Sequence, residues 1–303
     1  MTTATAPDLD GFDFYLRHPP SQGKDRRRPA GDSTVRSYTY AVGRFLTFLK
    51  GEDPTQDTVV AFIRAMEKSK TSPMTVSLRV YALRAYFAYL GLDELEVGAP
   101  AIPRRLPRFL NDGEWAKLLA EAVRPLITAN LPRRAKNRAL FHRAALLVYA
   151  GAGLRLSEGI ALRKEDVRPD GFLRVIGKGN VESLVPVEDA IIVAVQEFMV
   201  THESPWVFPG SNGAHLNRRT MQQVIHDLMT EAGIKDIRRC VHMLRHTAGA
   251  QLRAAGLDIR DIQQILRHAD ISTTQIYTQM DPRDLRRKLP KRGQLDHMQG
   301  RLV

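Results

Sequence analysis

The chain has a single cysteine, Cys240, so no internal disulfide can form and no cysteine cluster can hold a metal. That scarcity fits a reducing compartment, and Cys240 itself reads as a small buried hydrophobe. No apolar run approaches the roughly 20 residues that a membrane span requires. Residues 1–10 lack both a basic n-region and an apolar segment, which argues against a secretory signal. These absences predict a cytoplasmic protein with no membrane partner. Negative charge is the other shortage: 33 Asp+Glu stand against 45 Lys+Arg, a formal balance of +12 and an isoelectric point near 10.0. Such a surplus points to a polyanionic partner, because each cation that neutralises a phosphate releases a counterion. A merely basic protein is the alternative that charge by itself leaves open.

What is present falls into two parts. Hydrophobic residues make up 43% of the chain, enough for a real core, and 303 residues fit one large domain or two of ordinary size. Residues 1–31 read as a poorly ordered tail, because 18–29 is rich in proline and charge and has no period. Its run Arg26-Arg27-Arg28 suits either contact with a phosphate backbone or plain solvation. From Asp32 the pattern turns helical. Tyr38, Val42, Phe45, Leu46 and Leu49 recur at spacings of three and four, with Ser33 or Asp32 as N-cap. The stretch from Gly51 to Pro54 ends that helix. Val59, Val60, Phe62, Ile63 and Met66 mark a second helix; a third starts near Ser72 and Pro73, carries Val76, Val80, Leu83 and Phe87, and ends at Gly91. Residues 32–97 are thus expected to form a small helical domain with a modest core.

Pro100, Pro103 and Pro107 then interrupt any helical period. Proline removes backbone donors and favours extended chain, so 98–108 is the expected linker, with Arg104, Arg105 and Arg108 in it. A helix capped near Asp112 and carrying Trp115, Leu118 and Leu119 opens a second domain, 109–289, which reads as mostly helical. One region differs: 172–176 and 181–187 are β-branched segments around Gly177-Lys178-Gly179-Asn180, the pattern of a hairpin with a glycine-rich turn. Helical patterns resume near Glu188 and run, with breaks, to Leu289, and 290–303 remain as a tail. The fold class is mainly α, with a small β-hairpin in the second domain and no internal repeat.

Four stretches offer groups that suit a phosphate. In 151–158, glycines break the apolar helix 144–150, and Arg155 follows near the start of the next helix. A helix N-terminus and a guanidinium together favour an anion; a tight helix–helix turn with a surface arginine is the plain alternative. His242 and Arg245 stand one helical turn apart on a shared face and can reach one group; ordinary surface charges explain the pair equally. Further on, Ser272 and Gln275 have the form of a capping box, which puts Tyr277 on the second turn of a helix and His268 in the turn before it. Taken singly, a tyrosine such as Tyr277 is more often a half-buried aromatic than a nucleophile. Lys178, at the tip of the hairpin, is either a solvated turn residue or a mobile proton donor. Phosphodiester exchange needs little else: a nucleophile, positive charge on the two non-bridging oxygens, and an acid for the leaving oxygen. The sequence has no P-loop of the form GxxxxGK[ST] and no cluster of carboxylates around these groups. Two arginines can supply the charge that Mg²⁺ supplies elsewhere.

In chain order, Arg155, Lys178, His242, Arg245, His268 and Tyr277 resemble the active-site signature of the tyrosine recombinase, or phage-integrase, family. Gly153-Leu154-Arg155-Leu156-Ser157-Glu158 is similar to its first motif and His242-Met243-Leu244-Arg245-His246-Thr247 to its second. Leu266-Arg267-His268, with the run from Ile271 to Tyr277, is similar to its third. Lys178 falls between the first and second motifs, as the family's lysine does. Residues 34–49 and 76–90 resemble the helical, SAM-like core-binding domain, so the resemblance runs from about residue 32 to 289. There are two departures. Arg267 stands where the family usually has glycine before its histidine, and the region 124–138 is slightly longer and more basic than the usual connection.

The resemblance implies two domains that form a C-shaped clamp on duplex DNA, with the chemistry in the second. It implies that Tyr277 attacks the scissile phosphate to give a 3′-phosphotyrosyl bond and a free 5′-hydroxyl. Arg155 and Arg245 would hold the non-bridging oxygens, His242 assist proton transfer from Tyr277, His268 hydrogen-bond the phosphate, and Lys178 protonate the leaving 5′-oxygen. The phosphotyrosine keeps the bond energy, so no cofactor, ATP or metal is expected. The implied partners are double-stranded DNA with paired recombination sites and further recombinase subunits. The assembly would be a homotetramer, or a heterotetramer with a second recombinase, at the nucleoid. Little room for an arm-binding domain before residue 32 suggests a Xer-like member that resolves chromosome or plasmid dimers. An integrase of a phage or mobile element is the close alternative, and a type IB topoisomerase shares much of the chemistry without site choice. A DNA-binding architectural protein with a decayed site is the alternative of a different class; the full set of catalytic residue types argues against it. Beyond Tyr277, Leu285 and Leu289 stand one turn apart, which suggests a short helix that docks on a neighbouring subunit or folds back on its own domain.

Overall fold

The computed structural model describes residues 8–21, 28–92, 94–102, 108–127, 130–177, 181–235 and 240–267. Lys178, His268, Tyr277 and the expected helix around Leu285 lie outside the described residues. The chain divides into two compact units, Met1–Arg105 and Leu106–Val303, at the proline- and arginine-rich stretch. Among the described residues it is mainly helical with one small sheet, and no helix is long and apolar enough to cross a membrane.

In the first unit, helices α1 (Leu9–Arg17), α2 (Asp32–Leu49), α3 (Gln56–Lys68) and α4 (Pro73–Tyr89) enclose one core. Local chemistry sets their starts. The Thr55 hydroxyl accepts from the Thr58 N–H while the Thr58 hydroxyl accepts from the Thr55 N–H, and Ser72 accepts from the Thr75 N–H ahead of Pro73. Helix α2 departs from expectation: Gly31 is its N-cap, and Asp32 lies inside the first turn, bound to Arg17 at 2.6 Å.

That ion pair joins α1 to α2. Residues 1–31 are not uniformly a tail, because α1 packs on α2 and α4. Asp8 accepts from the Gly11 N–H to start it, and Leu16 O accepts from the Ala30 N–H to tie its end to α2. Phe12 is fully buried, edge-on to Tyr86 at 5.2 Å. A nine-residue helix is marginal in water, so its order comes from this tertiary contact rather than from propensity, and the charged stretch beyond it masked the short apolar period of Leu9, Phe12 and Leu16.

The second unit opens with α5 (Asp112–Val123), started by a reciprocal cap between Asn111 and Glu114. Helix α6 (Arg133–Leu146) runs on into a π-helical turn, Leu147–Gly151, whose residues up to Ala150 are buried. After α7 (Leu156–Ile160), strands β1 (Val167–Arg168), β2 (Phe172–Ile176) and β3 (Glu182–Pro186) form an antiparallel sheet in that order. The expected hairpin is β2–β3, in register Phe172 with Pro186 and Arg174 with Leu184. The additional strand, β1, has two residues, too few to carry a period of two. Helices α8 (Asp189–Met199), α9 (Arg218–Glu231), α10 (Val241–Ala254) and α11 (Ile259–Leu266) complete the described part. The π-turn lies against α8 and α10, and α11 packs on α10 through a small satellite core of Leu252, Leu257, Ile262 and Ile265.

If α1 is part of the first unit's core, Phe12→Ala will destabilise that unit by about 3–5 kcal/mol, the cost of emptying an aromatic site. Urea-dependent hydrogen exchange at α2 and α4 amides measures it; unchanged protection would return α1 to the status of a tail.

Candidate active site

The first element of the site is the exit from the long helix. In the π-turn the Ala152 N–H donates to Leu147 O at 3.0 Å, a widened step that ends the regular ladder. Gly153 then takes φ +63, and a Cβ there would meet Leu266 Cδ2 at 2.4 Å, so only glycine turns the chain here. Arg155 follows as the extended N-cap of α7. Glu158, three residues on, accepts the Arg155 N–H at 2.7 Å through Oε2 and Arg155 Nη1 at 2.8 Å through Oε1. The Glu158 side chain is 2% exposed, sealed from a further direction by Arg267, whose Nη2 donates to Oε2 at 2.6 Å.

The second element is α10. Thr247 fastens it, accepting the Leu110 N–H and donating to Met243 O, both at 2.9 Å. Arg245 is buried and donates to Gly153 O at 2.6 Å and to Leu266 O. Arg155 Nη2 donates to Arg267 O at 2.5 Å. Two arginines distant in sequence therefore end on consecutive main-chain carbonyls, 266 and 267, at the end of α11. His242 sits exposed on the first turn of α10, one turn before Arg245, with exposed His246 beyond it.

The electrostatics follow from crowding cations around one carboxylate. Burial alone would push the Glu158 carboxyl up; the charge of Arg267 and the hydrogen bonds and charge of Arg155 outweigh it and hold the group below its ordinary value. Burial, then the charges of Arg155 and Arg267, bring Arg245 down to about 10, with Glu158 opposing, so it stays a cation at neutral pH. Burial lowers His246 as well, helped by His242 and Arg245. The Tyr149 hydroxyl, buried under α7 beside Glu158, is pushed up. The site thus presents fixed positive charge, with protonation settled in advance.

The structure brings Arg155 and Arg245 together and places His242 on the same helix as Arg245; Lys178, His268 and Tyr277 fall outside the described residues. Two participants escaped the sequence reading. Glu158 carried a signal, since its three-residue spacing from Arg155 is that of a reciprocal cap. Arg267 carried none beyond its place before His268. Cys240 is half-exposed at the start of α10 rather than buried. Among the described residues no His, Cys, Asp and Glu side chains gather as metal ligands would.

Comparison with known proteins bears on the whole chain. A model of the phage integrase family matches residues 117–283, and one of the phage integrase N-terminal SAM-like domain matches 27–92. Tyrosine recombinase XerA of Pyrococcus furiosus is 32% identical over 301 residues, 96% of either chain. In fold, the chain is similar to XerH site-specific recombinase bound to palindromic difH substrate in a post-cleavage complex (TM-score 0.65, 17% identity, 92% of this chain and 91% of that one). It is also similar to a lambda integrase tetramer bound to a Holliday junction (TM-score 0.63, 14% identity, 94% and 78% covered).

The buried carboxylate makes a prediction about stability. Glu158→Ala leaves two arginines without their shared partner and will cost about 3 kcal/mol, the low end for a broken buried pair because the Arg155 side chain is 35% exposed and partly screened. The Glu158 pKa is depressed in the folded chain, so its contribution is fully present above the ordinary value of 4.5 and is lost as pH falls through the lower folded value. Denaturant titrations of both proteins across that range measure the difference; a gap that fails to close in acid would contradict the assignment.

Proposed function

The chain belongs to the phage integrase family of tyrosine recombinases, and we propose that it is a Xer-like member that resolves chromosome or plasmid dimers by site-specific strand exchange. A full-length resemblance to a recombinase named XerA supports the narrower reading. The observation that carries the chemistry is the convergence of Arg155 and Arg245 on carbonyls 266 and 267, where the chain passes into His268 and the Tyr277 segment.

In this reading a scissile phosphate replaces the neutral carbonyl acceptors, since a charged acceptor makes stronger, bidentate bonds with guanidinium. Arg155 and Arg245 hold the two non-bridging oxygens, and His268 donates a further hydrogen bond. The Tyr277 oxygen attacks phosphorus as His242 assists removal of its proton. The bond from phosphorus to the 5′-oxygen breaks, and Lys178 delivers a proton to that oxygen. The 3′-phosphotyrosyl bond stores the energy of the broken ester, and a 5′-hydroxyl from the partner duplex reverses the step. The negative charge of the pentacoordinate state is stabilised by the protein's own cations, with no metal or nucleotide cofactor. The working assembly is a tetramer on two duplexes with paired sites, either of this chain alone or with a second recombinase. It acts in the cytoplasm, at the nucleoid. Solved neighbours of similar fold are a recombinase on its DNA substrate and a tetramer on a Holliday junction.

The test uses a nicked suicide duplex in excess EDTA. The unaltered chain should form a covalent complex, and Tyr277→Phe should bind the DNA and form none. Lys178→Ala should cleave slowly on ordinary DNA and recover on DNA with sulfur at the 5′-bridging position, because a thiolate leaves without an acid; Arg155→Ala should not recover. Cleavage by Tyr277→Phe, or a strict metal requirement, would overturn the mechanism.

A further inference from the structure

Arg267 occupies a place where a side chain has a cost. It is the C-cap of α11 at φ 53 and ψ 51, the left-handed region that glycine enters freely and a residue with a Cβ does not. Its guanidinium is withdrawn from solvent, 14% exposed, with Nη2 on Glu158 and Nη1 donating to Ile265 O at 3.2 Å. Its own carbonyl accepts from Arg155 Nη2. One residue therefore grips Arg155 twice, directly through its main chain and indirectly through the carboxylate that Arg155 also holds.

We propose that Arg267 is a positioning residue for strand cleavage: it fixes the Glu158 carboxylate, which in turn aims the Arg155 guanidinium at the scissile phosphate. The inference rests on the recombinase reading above. The physical argument is one of charge in a buried place. Around Glu158 stand Tyr149 from the π-turn, Arg155 at the start of α7, Arg245 from α10 and Arg267 at the end of α11. Without Arg267 the carboxylate keeps its burial and loses the largest charge that opposes it, so its proton affinity rises. A protonated Glu158 holds Arg155 weakly, and Arg155, a third exposed, is then free to leave its cleavage geometry. Arg267 itself faces Glu158 rather than solvent, and its role is exerted through Arg155.

The variant that isolates the side chain is Arg267→Gly, because glycine adopts φ 53 without strain and the backbone carbonyl remains. Arg267→Lys restores a charge, and Arg267→Gly with Glu158→Gln removes the titrating group. Each full-length protein is assayed for DNA binding by gel shift and for covalent complex formation on the suicide duplex, from about pH 5.5 to 8.5. Expected for Arg267→Gly is binding within about twofold of the unaltered chain and cleavage slower by roughly tenfold to a hundredfold, the scale of a misplaced catalytic group. The deficit should deepen as pH falls, since protonation of Glu158 adds to it. Arg267→Lys should recover part of the rate, and the double variant should be slow with no added pH dependence. Cleavage by Arg267→Gly at the normal rate, with the normal pH profile, overturns the inference. A uniform loss at every pH that lysine does not relieve also overturns it, as the mark of mere structural damage. Failure of the unaltered chain to form any covalent complex would instead overturn the recombinase reading itself.

Discussion

Two guanidinium groups, those of Arg155 and Arg267, share one buried carboxylate with a third, Arg245, close enough to feel its charge, and the geometry of the site depends on that imbalance. Arg155, Arg245 and Arg267 would repel one another in a part of the protein with little water, and Glu158 offsets only part of that repulsion. Main-chain carbonyls of Gly153, Leu266 and Arg267 take up further donors. A carbonyl is a neutral acceptor and cancels no charge. The site therefore retains a net positive field.

The rest of the second unit serves to keep those charges from relaxing apart. The π-turn ends a helix whose last turn is buried, so Gly153 and Arg155 leave from a fixed point. Gly153 admits Leu266 into contact, which brings the end of α11 within reach of both arginines. Thr247 pins α10 to the chain entering α5, and a residue added to or lost from that helix would rotate Arg245 away from the carbonyls. Preorganisation of this kind places its cost in folding rather than in the chemical step.

The same imbalance explains why a conformationally unfavourable residue stands at the end of α11. Glycine at 267 would relieve the backbone and leave Glu158 with Arg155 as its only paired arginine. With Arg267 present, the carboxylate is ionised in spite of its burial, and Arg155 is bounded on two sides. Backbone strain at one position is thus exchanged for a defined orientation at another.

The sequence by itself determined the helical class, the two-part organisation and the hairpin, and it singled out Arg155, His242 and Arg245 as candidates, because each rests on local signals: hydrophobic period, proline, turn chemistry and motif spacing. It also held Lys178, His268 and Tyr277 as residue types in a recognisable order. Helix α1, the two-residue strand β1 and the role of Arg267 were not legible there. Phe12 is ordered by Tyr86, far along the chain, and β1 by β2. Arg267 meets Glu158 only after α11 has folded onto α10. Interactions between neighbours in sequence leave a pattern that can be read. A contact that closes a long loop leaves none, since its two halves carry no mutual period and find each other only once the core between them is packed.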